Sequence, residues 1–172
     1  MMMRILSVAL IFGIAASLAR AQEIPKPGPE HDKFKDMVGD WETTVKMAGA
    51  ETKGKASYKI GFNGFFMIEE FEADFGGFKF HGRGQTGYCP VRKKYITTWI
   101  DNMDPSPLVM SGNFDKEGKT LTENGEGTRE GKLVKLKSVG TMPDKDTMLF
   151  HFYEVKDGKD VEMMSITYKR KS

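Results

Sequence analysis

"VGDWETTVKM", Val38 to Met47, is the stretch on which the reading of this chain turns. Trp41, Thr43, Val45 and Met47 fall on one face of an extended segment, against Glu42, Thr44 and Lys46 on the other. Alternation of this kind, with period two, marks a strand with one buried and one wet face. The segment also poses a packing question. A glycine, Gly39, stands at its head, and the bulkiest side chain of all, Trp41, follows two residues later.

The same pattern continues to the end of the chain. "KASYKIGF" sets Ala56, Tyr58 and Ile60 against Lys55, Ser57 and Lys59. "FFMIEEFEADF" lines up Phe65, Met67, Phe71, Ala73 and Phe75, with Glu69 among them. "FKFHGRGQTGY", "KYITTWIDNM", "PLVMSGNF", "KTLTENGEG", "KLVKLKSV", "TMLFHFYEV" and "DVEMMSITYKR" follow. The breaks "FGGF", "DKEG", "TREGK", "PDKD" and "KDGKD" carry the Gly, Asp and Pro that tight hairpins need. Brief hairpins pair sequential neighbours antiparallel. No segment after residue 40 could supply a helical crossover. About ten such strands form a sheet that loses its exposed edges by closing on itself. The expectation is therefore all-β: an up-and-down antiparallel β-barrel with its apolar face inward, with a two-sheet sandwich as the alternative.

Ahead of the strands, "HDKFKDMVG" places Phe34, Met37 and Val38 at helical spacing before Gly39, which predicts one short N-terminal helix closing one end of the barrel. "QEIPKPGPE", residues 22–30, has three prolines and reads as an extended leader. Residues 1–21 read as a secretory signal. Arg4 precedes the apolar run "ILSVALIFGIAASL", and Ala19-Arg20-Ala21 offers a cleavage site before Gln22. The run is short for a membrane span. Export to a periplasm or to the outside follows, with the barrel occupying residues 31–172 and no membrane insertion after cleavage.

The 172-residue chain carries a formal charge of +2; loss of Arg4 and Arg20 with the signal brings it to zero. A neutral chain lacks the electrostatic footprint of a nucleic-acid binder. Cys89 is the single cysteine and forms no internal disulfide.

Whole motifs carry a resemblance. Lipocalins and their calycin relatives open with a short helix and then Gly-x-Trp on the first strand, and a basic residue of the last strand packs across that indole. Here Gly39-Asp40-Trp41 and Tyr168-Lys169-Arg170 occupy those places. Five motifs, "PGPEH" (Pro27–His31), "VGDW" (Val38–Trp41), "GRGQTGY" (Gly82–Tyr88), "KKYITTWIDNM" (Lys93–Met103) and "ITYKRK" (Ile166–Lys171), extend across residues 27–171. Through them the chain resembles the bacterial domain-of-unknown-function family 1579. The resemblance implies an exported, calycin-type barrel and no established activity. After "TGY" the family tends to carry Asp, where this chain has Cys89-Pro90.

Glu69 is the sharpest local oddity, since a carboxyl in phase with Phe65, Met67, Phe71 and Phe75 must be paired, hydrated or protonated. Either it anchors a ligand, or a bulge turns it outward. Tyr95, Thr97, Trp99 and Asp101 share one face of their segment and Ile96, Thr98 and Ile100 the other; periodicity alone does not choose between them, and the resemblance favours the first set as inward. Gly82, Gly84 and Gly87 mark curvature or the close approach of another group. His31, His81 and His151 have no metal-ligand spacing. No metal or other cofactor is implied, and His31 is expected to tie the leader to the barrel floor. No residues form a catalytic constellation.

The favoured function is binding of a small hydrophobic or amphipathic molecule, with Glu69, Tyr58, Tyr88, Trp99 and Asp101 lining the site and Gly39, Trp41, Arg170 and His31 closing the barrel. One alternative is a filled barrel acting as a homo-oligomeric or partner-binding module, which an exposed Phe66–Ile68 patch would favour. A third reading is an enzyme with Glu69 or Asp101 as general base.

Overall fold

The structure, a computed structural model, describes residues 24–172. The apolar run and cleavage site of residues 1–21 lie outside the described residues. Ten strands follow one another: β1 (Gly39–Met47), β2 (Ala50–Gly61), β3 (Phe66–Phe75), β4 (Phe78–Cys89) and β5 (Lys94–Asp101), then β6 (Leu108–Phe114), β7 (Thr120–Arg129), β8 (Lys132–Asp144), β9 (Thr147–Lys156) and β10 (Lys159–Arg170). Each pairs antiparallel with its neighbours in sequence, and β1 pairs with β10 to close the barrel. The up-and-down barrel is thus observed, not the sandwich.

Hairpin chemistry explains the order. Ala48-Gly49, Gly76-Gly77, Glu130-Gly131 and Asp157-Gly158 all have positive φ at both residues. That geometry defines the two-residue turn whose twist matches the flanking strands. Because strands alternate in direction, all four turns sit at one end of the barrel, with the longer 102–107 connection between β5 and β6. This end is the mouth.

The opposite end is closed by the segment preceding β1. An expected short helix over His31–Val38 is here a single 3-10 helix, Pro29–Phe34. Its hydrogen bonds and those of the turn after it span three residues: His31 N–H donates to Gly28 O, Lys35 N–H to Asp32 O and Met37 N–H to Phe34 O. A segment this short is a poor α-helix, and the tighter winding brings both Phe34 and Met37 into the core. Tyr95 Oη donates to Glu30 O at 2.9 Å and holds the segment on the barrel.

Trp41 is the plug, 1 % exposed, with Nε1 donating to Met37 O at 3.0 Å. The Arg170 guanidinium carbon lies 4.1 Å from the centre of its ring. Gly39 has φ +132°, and a Cβ there would come within 2.8 Å of Arg170 Nη1. The glycine before the Trp is therefore required by the arginine that covers it. His31 completes the floor, with its ring edge-on to those of Phe34, Phe65 and Tyr88.

Outside, Phe66 lies over Gly87 and against Phe62, and Ile68 is partly buried. Of the expected Phe66–Ile68 patch, Phe66 is 37 % exposed and Met67 is buried, and the neighbouring Phe62 is 67 % exposed.

Candidate functional site

Above the floor, the interior opens into a cavity of about 630 Å³ that reaches the mouth. Its volume falls in the range of small-molecule sites, roughly 300–1,000 Å³. The walls are apolar and aromatic, and the polar groups on them are few.

One wall is built from β3, β4 and β5. Register sets Gly84 between Glu69 and Trp99. The Trp99 indole lies flat along β4, so close that a Cβ at Gly82 would overlap its six-membered ring. At Gly84 a Cβ would stand 3.2 Å from Trp99 Cε3 and 3.4 Å from Glu69 Oε2. Of the three glycines expected to mark curvature or close approach, Gly82 and Gly84 thus make room for the indole, and Gly87 makes room for Phe66 on the outer face. Phe80 stacks on Trp99 at an interplanar angle of 14°, and Phe71 meets it edge-on. Tyr95, Thr97, Trp99 and Asp101 face inward, leaving Ile100 half-exposed outside.

Asp101 lines the mouth, but its oxygens are committed. Oδ2 accepts from Trp99 Nε1 at 2.8 Å, and Oδ1 accepts from the backbone N–H groups of Met103 and Asp104 at 2.7 and 2.9 Å. It positions the indole and shapes the 102–107 connection.

Glu69 points inward, with no bulge. Tyr58, opposite it on β2, and Tyr168, from β10, both hydrogen-bond its carboxyl; Tyr168 Oη donates to Oε1 at 3.3 Å. The part of Glu69 that stays open faces the cavity. Burial pushes its pKa up to about 7, against the lowering effect of the two phenols. Burial, and then the neighbouring Glu69 charge, pushes both phenols well above the usual tyrosine value.

A second carboxyl, Glu123 of β7, was not singled out by the sequence. Thr97 Oγ1 donates to Glu123 Oε1 at 2.8 Å, Thr86 bonds Thr97 in turn at 2.9 Å, and Ser138 bonds the carboxyl from β8. It is 5 % exposed, and burial pushes it up to about 7. Its signal was weak: it is in phase with Leu121, Gly125 and Gly127, where the only apolar residue is a leucine. Tyr168 was also missed, hidden in a motif read for Arg170.

The structure brings Tyr58, Glu69, Trp99 and Asp101 to one cavity. Tyr88 is not in its lining; it packs against Tyr95 and His31 at the closed end, because it lies at the floor end of β4. Gly39, Trp41, Arg170 and His31 are together at the floor. His151, flanked in sequence by Phe150 and Phe152, bonds Glu162 on the outer face, while the two phenylalanines face the cavity.

The barrel is similar to that of an S-type phycobiliprotein lyase from Guillardia theta, at 12% identity over 85% of this chain and 99% of that one, with a TM-score of 0.56. A redesigned β-barrel matches 81% of this chain and 96% of its own at 11% identity, with a TM-score of 0.45. At 12% identity the likeness to the lyase is one of fold. No curated protein matches the sequence. A family model does match, over residues 26–170, and the chain belongs to that family, described as protein of unknown function (DUF1579).

Proposed function

We propose that this protein is an exported carrier or receptor that binds one small hydrophobic or amphipathic molecule inside its barrel. The observation that carries the reading is the open cavity of about 630 Å³, walled by Phe71, Phe80, Trp99 and Phe150 and furnished with the inward carboxyls of Glu69, Glu123 and Asp101. A few fixed polar groups on an apolar wall are what orient a small ligand. An interior with this much free space argues against the filled-barrel alternative. Charged residues such as Glu42, Lys53, Lys55 and Glu72 lie on the outer face, the reverse of a barrel that meets lipid.

Native mass spectrometry of the protein purified without detergent tests the binding reading. A stoichiometric small molecule, released on denaturation, is the expected result. A bare mass, together with Trp fluorescence that ignores a panel of apolar probes, would sink it. Export rests on residues 1–21 and is tested by N-terminal sequencing of the fractionated protein, with Gln22 as the expected first residue. An intact Met1 in every fraction would overturn it.

A further inference from the structure

The cavity is strongly one-sided in charge. Glu69, Glu123 and Asp101 face into it and Asp104 stands at its mouth, and Arg129 is the one basic side chain on the lining among the described residues. Arg129 is already engaged: its Nη1 donates to Glu154 Oε2 at 2.6 Å, near the mouth. Lys156 reaches the other oxygen of Glu154 at 3.4 Å. The buried acid Glu154 is thus paired with two cations. Glu69 and Glu123 have hydroxyl donors only.

The surroundings of Glu69 add a second feature. Its carboxyl sits where three electron-rich rings converge. Tyr58 and Tyr168 bond it, with their ring centres 6.2 Å apart, and the Trp99 indole shares the Gly84 surface with Oε2. Aromatic faces attract a cation, most strongly when water is excluded. A carboxylate beside such faces complements an ammonium group and repels an anion.

We propose, building on the cavity's reading as a binding site, that the ligand is a cationic amphiphile: an apolar body bearing a protonated nitrogen that docks on Glu69 among Tyr58, Tyr168 and Trp99. The body then fills the space toward Phe80 and Phe150. Glu123, on another wall of the same cavity, supplies a second negative centre and suits a second nitrogen or a hydroxyl at the far end of the ligand. The inward acids thus decide the ligand's charge, and the aromatic walls its hydrophobic bulk.

The test compares decylamine, decanol and decanoate, which share one chain and differ in headgroup charge, by Trp fluorescence and titration calorimetry on the wild-type protein at pH 8. Decylamine is expected to bind at least tenfold tighter than decanol, and decanoate more weakly than either. In Glu69→Gln, with folding checked by circular dichroism, the amine's advantage over decanol falls to within about twofold. If that variant does not fold, the wild-type comparison decides alone. Equal affinity for amine and alcohol, or preference for decanoate, overturns the cationic ligand and leaves the binding reading standing. Failure of all three to bind overturns both.

Discussion

Arg170 covers Trp41, with 4.1 Å between the guanidinium carbon and the centre of the ring. Its nitrogens also donate to the carbonyl oxygens of Asp36, Val38 and Lys145, at 2.7, 2.6 and 2.9 Å. One side chain of the last strand therefore holds the first strand, the segment before it and the β8–β9 turn. Arg170→Ala removes the cation–π contact and three charge-assisted bonds. It should lower unfolding free energy by about 2–4 kcal/mol in urea titrations. Arg170→Lys keeps the charge but loses the planar fork, and about half that loss is expected. A change under 0.5 kcal/mol for the alanine variant would show that the floor closes without it.

Gly82 is the seat of the Trp99 indole. A methyl group there overlaps the ring, which must swing into the cavity or push β4 and β5 apart. Gly82→Ala should cost about 1–3 kcal/mol, in line with overpacking elsewhere, and weaken ligand binding. The neighbouring substitution Gly84→Ala meets contacts of 3.2 Å and more and should cost less. Thermal melts of the two variants check the ranking, which fails if Gly84→Ala is the more damaging.

Asp101 serves Trp99 and the 102–107 connection together. Asp101→Ala leaves the indole N–H and two backbone N–H groups without their acceptor. A stability loss of about 1–3 kcal/mol is expected, with a red shift of Trp emission as the indole loosens. Unchanged emission and melting would remove Asp101 from its positioning role.

Glu69 makes stability depend on pH. Its folded-state pKa, about 7, lies above the ordinary 4.5, so the folded protein holds the proton more tightly than the unfolded chain. Its contribution is complete below about pH 4.5 and is lost as pH rises through 7, by up to about 3 kcal/mol. Glu123 acts in the same direction over the same window. Glu69→Gln keeps an acceptor for the phenols and has no charge to bury. It should match wild type near pH 5 and exceed it at pH 8 by about 1–3 kcal/mol. Parallel melting curves for the two proteins across pH 5–8 would contradict a buried acid at this position.

Much of the barrel follows from local pattern. In "GDWETTVKM" the alternation alone sends Trp41, Thr43 and Val45 inward, since successive side chains of a strand point to opposite faces. The Gly-containing pairs after Met47, Phe75, Arg129 and Lys156 set turns whose positive φ favours glycine. Neighbour pairing of ten strands then leaves closure as the way to satisfy both edges. The family match, residues 26–170, spans all ten of these strands.

Periodicity names a face; it does not name a height along the barrel or a partner across it. Tyr88 and Trp99 both point inward, yet one belongs to the floor and the other to the cavity, because β4 and β5 run in opposite directions from different ends. Glu69 meets Tyr168 across 99 positions of sequence, a pairing that exists only once β10 has closed against β1. Glu123 gains its meaning from Thr97 and Ser138 on strands to either side. The cavity itself is the space left by side chains of all ten strands, and no single segment encodes its volume. The sequence by itself determined the strands, the turns and the two alternating faces of each strand, while the Trp41–Arg170 floor was implied by resemblance and is made where β1 meets β10. Barrel closure and register decided which inward residues share the cavity, because those are long-range relations that no local pattern contains.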